Sequence, residues 1–285
     1  MAALAKLPGT DIELLRPITR GRIRHVLFDF DGTISLLREG WQGIMAPLCV
    51  EMICGAHPPT PSIEAAVHEM IEETTGIQTI FQMERLAEMV RHHGLVPEAE
   101  MRDAPGYKAL YNERLLVPVR ARLAQLARGE RTADDFRVRG VVRFIERTRD
   151  AGATLYVFSG TDRDDVRHEA RQLGVDHYFA EIWGALPSVE EYSKEKVIRE
   201  IMAAHDLHGT EVLAIGDGPV ELRNVKDAGG IAVGVCSDEA TGQGWNEAKR
   251  PRLTQAGADL LVPDFGEADT LADYLYSEGP AGRAG

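Results

Sequence analysis

HVLFDFDGT, residues 25–33, sets an apolar run with a β-branched and two aromatic residues directly against two aspartates and a Gly-Thr turn. A run of that composition reads as a buried strand that delivers polar side chains at its carboxyl end. Asp29 and Asp31 lie two residues apart, so regular strand geometry projects both from the same face. Carboxylates that close repel each other unless a divalent cation holds them or one carries a proton. The competing reading is a solvated acidic turn, since Asp-Gly is a common turn dipeptide. The wholly apolar strand behind the pair favours a functional site.

The same event recurs twice along the chain. ATLYVFSG (153–160) is an apolar run ending in Ser-Gly, and EVLAIGDG (211–218) is one ending in Gly-Asp-Gly. Helical patterns flank these runs: GVVRFIERTRDAG (140–152), RDDVRHEARQLGV (163–175), SKEKVIREIMAAH (193–205) and PVELRNVKDAGG (219–230). Two further strand candidates, IAVGVC and ADLLVP, begin at Ile231 and Ala258. Strands alternating with helices of this length predict an α/β fold, a Rossmann-like parallel sheet covered on both faces. Ligands of such sheets bind beyond the carboxyl ends of the strands, where all three polar strand ends then converge.

Residues 36–139 read differently. SIEAAVHEMIEETTG, FQMERLAEMVRHHG and YNERLLVPVRARLAQLARG are helical, no convincing strand appears, and Pro58, Pro59 and Pro61 punctuate the segment. It interrupts the alternation just after the first strand, which predicts an inserted helical domain between two parts of the core, residues 20–35 and 140–275. Residues 1–19 and 279–285 are read as terminal extensions, and the GPAGRAG tail is expected to be disordered.

Bulk properties bound the function. A chain of 285 residues suits a core domain with an inserted second unit. Forty-five acidic against 32 basic residues give a net charge of -13, and no Lys/Arg block interrupts it, so no nucleic-acid partner is expected. An acidic protein that acts on an anionic substrate must concentrate positive charge locally, through a metal ion and a few placed bases. Cys49, Cys54 and Cys236 are too few and wrongly spaced for a disulfide framework or a zinc site and read as small buried apolar residues. The start, MAALAKLPGTDIELLRP, lacks the apolar run of a signal peptide, and no stretch is long enough to span a bilayer. No membrane partner and a cytoplasmic setting are therefore expected; the sequence leaves the oligomeric state open.

The strand ends supply the remaining candidates. Asp217, with Glu221 four residues on, adds carboxylates at the third end. Magnesium takes hard oxygen ligands, and Asp29, Asp217 and the main-chain carbonyl of Asp31 offer a partial shell. Glu221 could bind the metal directly or through a water, or be a first-turn carboxylate favoured by the helix dipole. Ser159, followed by Gly160 and Thr161, offers a hydroxyl and backbone N–H groups for phosphoryl oxygens; a turn or N-cap serine is the alternative. Lys194 and Lys196 are the candidate cations. With Ser193 as N-cap, Lys194 falls in the first helical turn, against the dipole by about 0.3–1 kcal/mol, which suggests a local anionic partner and favours it over Lys196.

These elements, in this order, resemble the haloacid dehalogenase (HAD) superfamily, and in particular its phosphoglycolate-phosphatase-like members with a C1-type helical cap. DFDGT at 29–33 is similar to the first motif, Ser159 to the second, Lys194 or Lys196 to the third, and GDGPVE at 216–221 to the acidic fourth. The resemblance covers roughly residues 20–35 and 140–265. One position departs: the fourth motif commonly ends in Asp, and here it holds Glu221, one methylene longer. The resemblance implies Mg2+ as cofactor, held by Asp29, Asp31, Asp217 and Glu221. It implies Asp29 as nucleophile, Asp31 as general acid and base, and Ser159, Gly160 and Lys194 on the phosphoryl oxygens. Because relatives that are not phosphatases generally lack an aspartate at the Asp31 position, it points to a phosphatase acting on a small-molecule phosphate ester, such as a sugar, cyclitol or short-acid phosphate. Arg38, Glu39 and Trp41 are the first candidates for substrate contact, with hinge packing as the alternative; Arg85, His92, His93 and Lys108 could also face the cleft or lie on solvated helix faces. A phosphomutase shares every core residue quoted, and a non-catalytic binding module is the reading from another class.

Overall fold

A computed structural model describes residues 5–186 and 193–278 of the chain. Its strands are β1 (Ala5–Lys6), β2 (Glu13–Leu14), β3 (His25–Phe28), β4 (Thr154–Asp162), β5 (Glu181–Ala185), β6 (Val212–Gly216), β7 (Ile231–Val235) and β8 (Leu260–Val262). They form one eight-stranded sheet in the order β1-β2-β8-β7-β6-β3-β4-β5. All neighbours from β8 through β5 run parallel, whereas β2 adds to β8, and β1 to β2, in antiparallel fashion. The register sets Phe28 opposite both Val157 and Ile215. Asp29, Ser159 and Asp217 therefore emerge side by side at one end of the three central strands.

Both faces of the sheet are covered, which is why its strands are nearly continuous in apolar residues. Val26, Phe28, Leu155, Val157, Leu213 and Ile215 face one layer, where they meet Phe144 and Ile145 of α5 (Val141–Asp150), Val166 and Ala170 of α6 (Arg163–Gln172), and the C-terminal helix Ala268–Tyr276. Leu27, Tyr156, Phe158 and Ala214 face the other. There they pack on Val197, Ile198 and Ile201 of α7 (Lys194–His205) and on Leu222 and Val225 of α8 (Pro219–Asp227).

Between β3 and β4 the chain folds into four helices, α1 (Trp41–Cys54), α2 (Pro61–Glu73), α3 (Thr79–His93) and α4 (Ala104–Ala127). They enclose an apolar cluster of their own, which includes Met45, Leu48, Val67, Met83, Leu86, Tyr111 and Leu115. The two connecting stretches pair with each other: Leu36 N–H donates to Phe136 O at 2.9 Å and Val138 N–H to Ile34 O at 3.1 Å. Leu36, Leu37, Phe136 and Val138 pack into the core layer, so the crossover is anchored in the α/β core. All three cysteines are buried free thiols. Among the described residues no helix is long and apolar enough to cross a membrane.

The N-terminal stretch, read from sequence as an extension, proves to be sheet. β1 and β2 extend it beyond β8, and Leu7, Ile12 and Leu15 are buried. Strands of two residues are too short to carry a readable alternation, which is why pattern reading passed over them. The strand Glu181–Ala185 escaped because its five residues, EIWGA, show too short a pattern and are interrupted by Gly184. The tail from Gly279 lies outside the described residues.

Truncating Ile12 to alanine is expected to destabilise the protein by about 2–5 kcal/mol, measured by urea denaturation. A loss near zero would show that the N-terminal strands are not part of the cooperative fold.

Candidate active site

Asp29 leaves β3 at the level where its N–H donates to Ile215 O, at 2.8 Å. Its carboxylate is buried and accepts a 2.9 Å hydrogen bond from Nζ of Lys194. The same ammonium group donates to Oε2 of Glu221 at 3.0 Å. Lys194 opens α7, whose N-cap Ser193 accepts from Lys196 N–H at 3.1 Å. The first helical turn thus aims Lys194 into the strand ends, while Lys196 is exposed and lies 4.0 Å from Glu200.

Asp29, Asp217 and Glu221 form a buried group whose ligand oxygens all lie within 4.8 Å of one another. Asp217 follows β6 and accepts from Nζ of Lys249 at 2.8 Å; that lysine also reaches Oε1 of Glu239 at 2.7 Å. Glu221 is at once a capping residue and a site carboxylate. Its Oε1 accepts from Gly218 N–H at 2.6 Å at the start of α8, and its Oε2 takes Lys194. The extra methylene fits because Gly216 and Gly218 lack side chains: a Cβ at either position would lie 2.4 or 2.8 Å from Oε1 of Glu221.

Burial raises the Asp29 carboxyl well above its ordinary value, with Glu221 and Asp217 adding to the rise and Lys194 opposing it. The donor set is entirely hard oxygen, the chemistry that suits a small divalent cation.

Asp31 points elsewhere. Its Oδ2 accepts from Thr161 Oγ1 at 2.7 Å and from Ser159 Oγ at 3.4 Å, and its buried Oδ1 accepts no hydrogen bond. Nε of Arg38 lies 3.8 Å from that oxygen. Burial also raises the Asp31 carboxyl, opposed by Arg38 and by the Thr161 hydrogen bond. Arg38 is itself held by Glu169 of α6 at 2.6 Å and by Asp165 at 3.3 Å.

The helical insert closes over this arrangement. Thr75, Gly76 and Ile77, in the turn between α2 and α3, line a cavity of about 80 Å³ with Asp29, Asp31, Ser159, Gly160, Thr161, Lys194 and Asp217. Gly160 permits the closure, because a Cβ there would lie 2.5 Å from the carbonyl oxygen of Ile77. Of the expected substrate residues, Arg38 and Trp41 line the cavity. Glu39 turns away to Nη2 of Arg122 at 2.6 Å. Arg85 pairs with Glu88 on the surface, His92 borders a separate surface depression, His93 lies beside it at the end of α3, and Lys108 bonds Asp162. Sequence reading missed Thr75, Ile77, Thr79, Gln82, Tyr111 and Leu115 in the lining, and Lys249 behind Asp217. Gly76 after two threonines at a helix end was the one available signal of a tight turn.

The match to a family model for haloacid dehalogenase-like hydrolases extends over residues 23–229, well over half of the chain. The chain belongs to this family. No match was found among curated proteins. Solved structures show the same fold. A protein described as a predicted phosphoglycolate phosphatase from Haemophilus somnus has a TM-score of 0.56 at 16% identity, covering 88% of this chain and 98% of its own. β-Phosphoglucomutase from Clostridium difficile has a TM-score of 0.56 at 15% identity, covering 86% and 92%. CbbY from Rhodobacter sphaeroides, solved with phosphate, has a TM-score of 0.53 at 20% identity, covering 86% and 96%. In this haloacid dehalogenase-like hydrolase the carboxyl ends of the central strands thus share a cavity with Thr75, Gly76 and Ile77 of the helical insert.

Replacing Lys194 by methionine strips Asp29 and Glu221 of their shared counter-charge, and the expected cost at neutral pH is about 3–5 kcal/mol. Acid protonates the two carboxylates and relieves their repulsion, so the deficit should shrink as pH falls. Urea denaturation at neutral and acid pH checks this; an equal deficit at both would contradict the assigned pairing.

Proposed function

We propose that this chain is a magnesium-dependent phosphomonoesterase that hydrolyses a small phosphorylated metabolite through an aspartyl-phosphate on Asp29. The observation that carries the reading is that Asp29 and Asp31 line one cavity in different surroundings. Asp29 sits on a lysine beside two further carboxylates, whereas Asp31, also in the lining, has one buried oxygen that accepts no hydrogen bond.

A nucleophilic Asp29 must be ionised, and burial among Asp217 and Glu221 opposes this. Asp29, Asp217 and the Asp31 main-chain carbonyl would hold Mg2+, with Glu221 beside them. The bound cation would supply the positive charge that keeps Asp29 ionised and offsets its approach to an anionic ester. Asp29 then attacks phosphorus in line, a phosphorus–oxygen bond forms, and the bond to the leaving alkoxide breaks. Lys194 and the Ser159 hydroxyl hold phosphoryl oxygens as charge shifts toward them. Asp31, whose raised pKa favours the protonated form, donates its proton to the alkoxide. The resulting carboxylate accepts a proton from the water that cleaves the acyl phosphate and so returns to its starting state. Closure of the insert excludes bulk water during the first transfer.

Phosphate release from a panel of phosphorylated metabolites, with and without Mg2+, tests the proposal; inactivity across the panel would overturn it. Isomerised phosphate without release of inorganic phosphate would identify a mutase. Asp29→Asn is expected to lower kcat by about 10³-fold or more. Asp31→Asn is expected to lower it by about 10²–10⁴-fold on alkyl phosphates and by much less on p-nitrophenyl phosphate, whose leaving group needs little protonation. Equal losses on both esters would remove Asp31 as the acid.

A further inference from the structure

The charges that line the cavity bear on the leaving group. Among the described residues two cations line the cavity, Lys194 and Arg38. Residues 187–192 lie outside the described set, but their sequence, PSVEEY, contains no cation. Lys194 is committed to Asp29 and Glu221 at the phosphoryl end. Arg38 faces three carboxylates at once: its Nε and Nη2 donate to Oε1 of Glu169 at 3.1 and 2.6 Å, Nη2 is 3.3 Å from Asp165, and Nε is 3.8 Å from Asp31. Leaving Asp31 aside, Arg38 is matched by two acids, Glu169 and Asp165. Apart from Arg38, the lining residues of the insert are neutral: Trp41, Ile77, Tyr111 and Leu115 give apolar surface, and Thr75, Thr79 and Gln82 give hydroxyl and amide groups.

We infer that the substrate is a phosphomonoester whose leaving group is an uncharged alcohol or polyol and carries no second anionic group, because the Glu169–Asp165 pair has already neutralised Arg38. A carboxylate or second phosphate placed there would lose its hydration and find no uncompensated cation, a cost that a hydroxyl avoids. Hydroxyls can instead exchange hydrogen bonds with the Thr75, Thr79 and Tyr111 hydroxyls. The inference rests on the phosphatase reading and narrows its substrate class, away from phosphoglycolate and toward neutral polyol phosphates.

The test uses esters matched in shape and different in charge: ethylene glycol monophosphate against phosphoglycolate, and glycerol 1-phosphate against 3-phosphoglycerate. Each is supplied to the full-length enzyme with Mg2+ as a competitor of p-nitrophenyl phosphate hydrolysis, and each is also assayed for its own turnover. The neutral member of each pair is expected to be favoured by at least about tenfold, in kcat/KM or as a competitor. Carboxylates that equal or surpass their neutral partners overturn the inference while leaving the phosphatase reading intact. Failure to hydrolyse any ester, p-nitrophenyl phosphate included, overturns the phosphatase reading and this inference with it. Asp165→Asn and Glu169→Gln, alone and together, should release charge on Arg38 and reduce the discrimination against the carboxylated members. Discrimination unchanged in the double variant, with p-nitrophenyl phosphate turnover retained, would show that neutralised Arg38 does not set it.

Discussion

Asp29, Asp217 and Glu221 are confined within a few ångströms of one another where water cannot screen them, and Lys194 is the ammonium group that two of them share. Most of the architecture around the site serves that confinement. The parallel register brings β3 and β6 level, α7 aims Lys194 from its first turn, and the N-terminus of α8 engages one oxygen of Glu221. Lys249 holds Asp217 from the other side. Such a cluster is costly in stability when its charges are unbalanced, and it becomes useful when a substrate and a cation complete the balance.

Asp29 and Asp31 differ through their surroundings. Asp29 is set among acids and a lysine, and Asp31 among hydroxyls and a guanidinium that is largely spent on Glu169. Residues two apart on one strand end thereby meet different surroundings, which is the basis for the different roles proposed for them. The same Arg38 links the acid to the specificity wall: it steadies Asp31 on one side and, being neutralised, leaves no charge for the substrate on the other. Burial pushes Glu169 up to about 7, with the Arg38 guanidinium opposing the rise.

The core was legible in the sequence because parallel strands must be apolar throughout and must end where the chemistry is. HVLFDFDGT, ATLYVFSG and EVLAIGDG announce β3, β4 and β6 together with Asp29, Ser159 and Asp217. Lys194 was legible through its cost, as a cation in the first turn of a helix. The cap's contribution was not. Thr75, Ile77, Gln82 and Tyr111 come together only when α2, α3 and α4 pack, and nothing in their local sequence separates a cavity wall from a core or a turn. Glu39 shows the converse: adjacent to Arg38 in sequence, it faces Arg122 and not the cavity. Lys249, 32 residues beyond Asp217, could be found only from the fold. The Glu221 departure became intelligible only through Gly216 and Gly218, whose missing side chains make room for the longer acid.

The proposed mechanism forms a covalent bond between phosphorus and one oxygen of Asp29. Acid quenching during turnover with Mg2+, followed by proteolysis and mass spectrometry, measures it directly. The expected result is a phosphorylated peptide with the modification on Asp29, accumulating when Asp31→Asn slows its hydrolysis and absent from Asp29→Asn. Modification of another residue, or full phosphate release by Asp29→Asn, would contradict it.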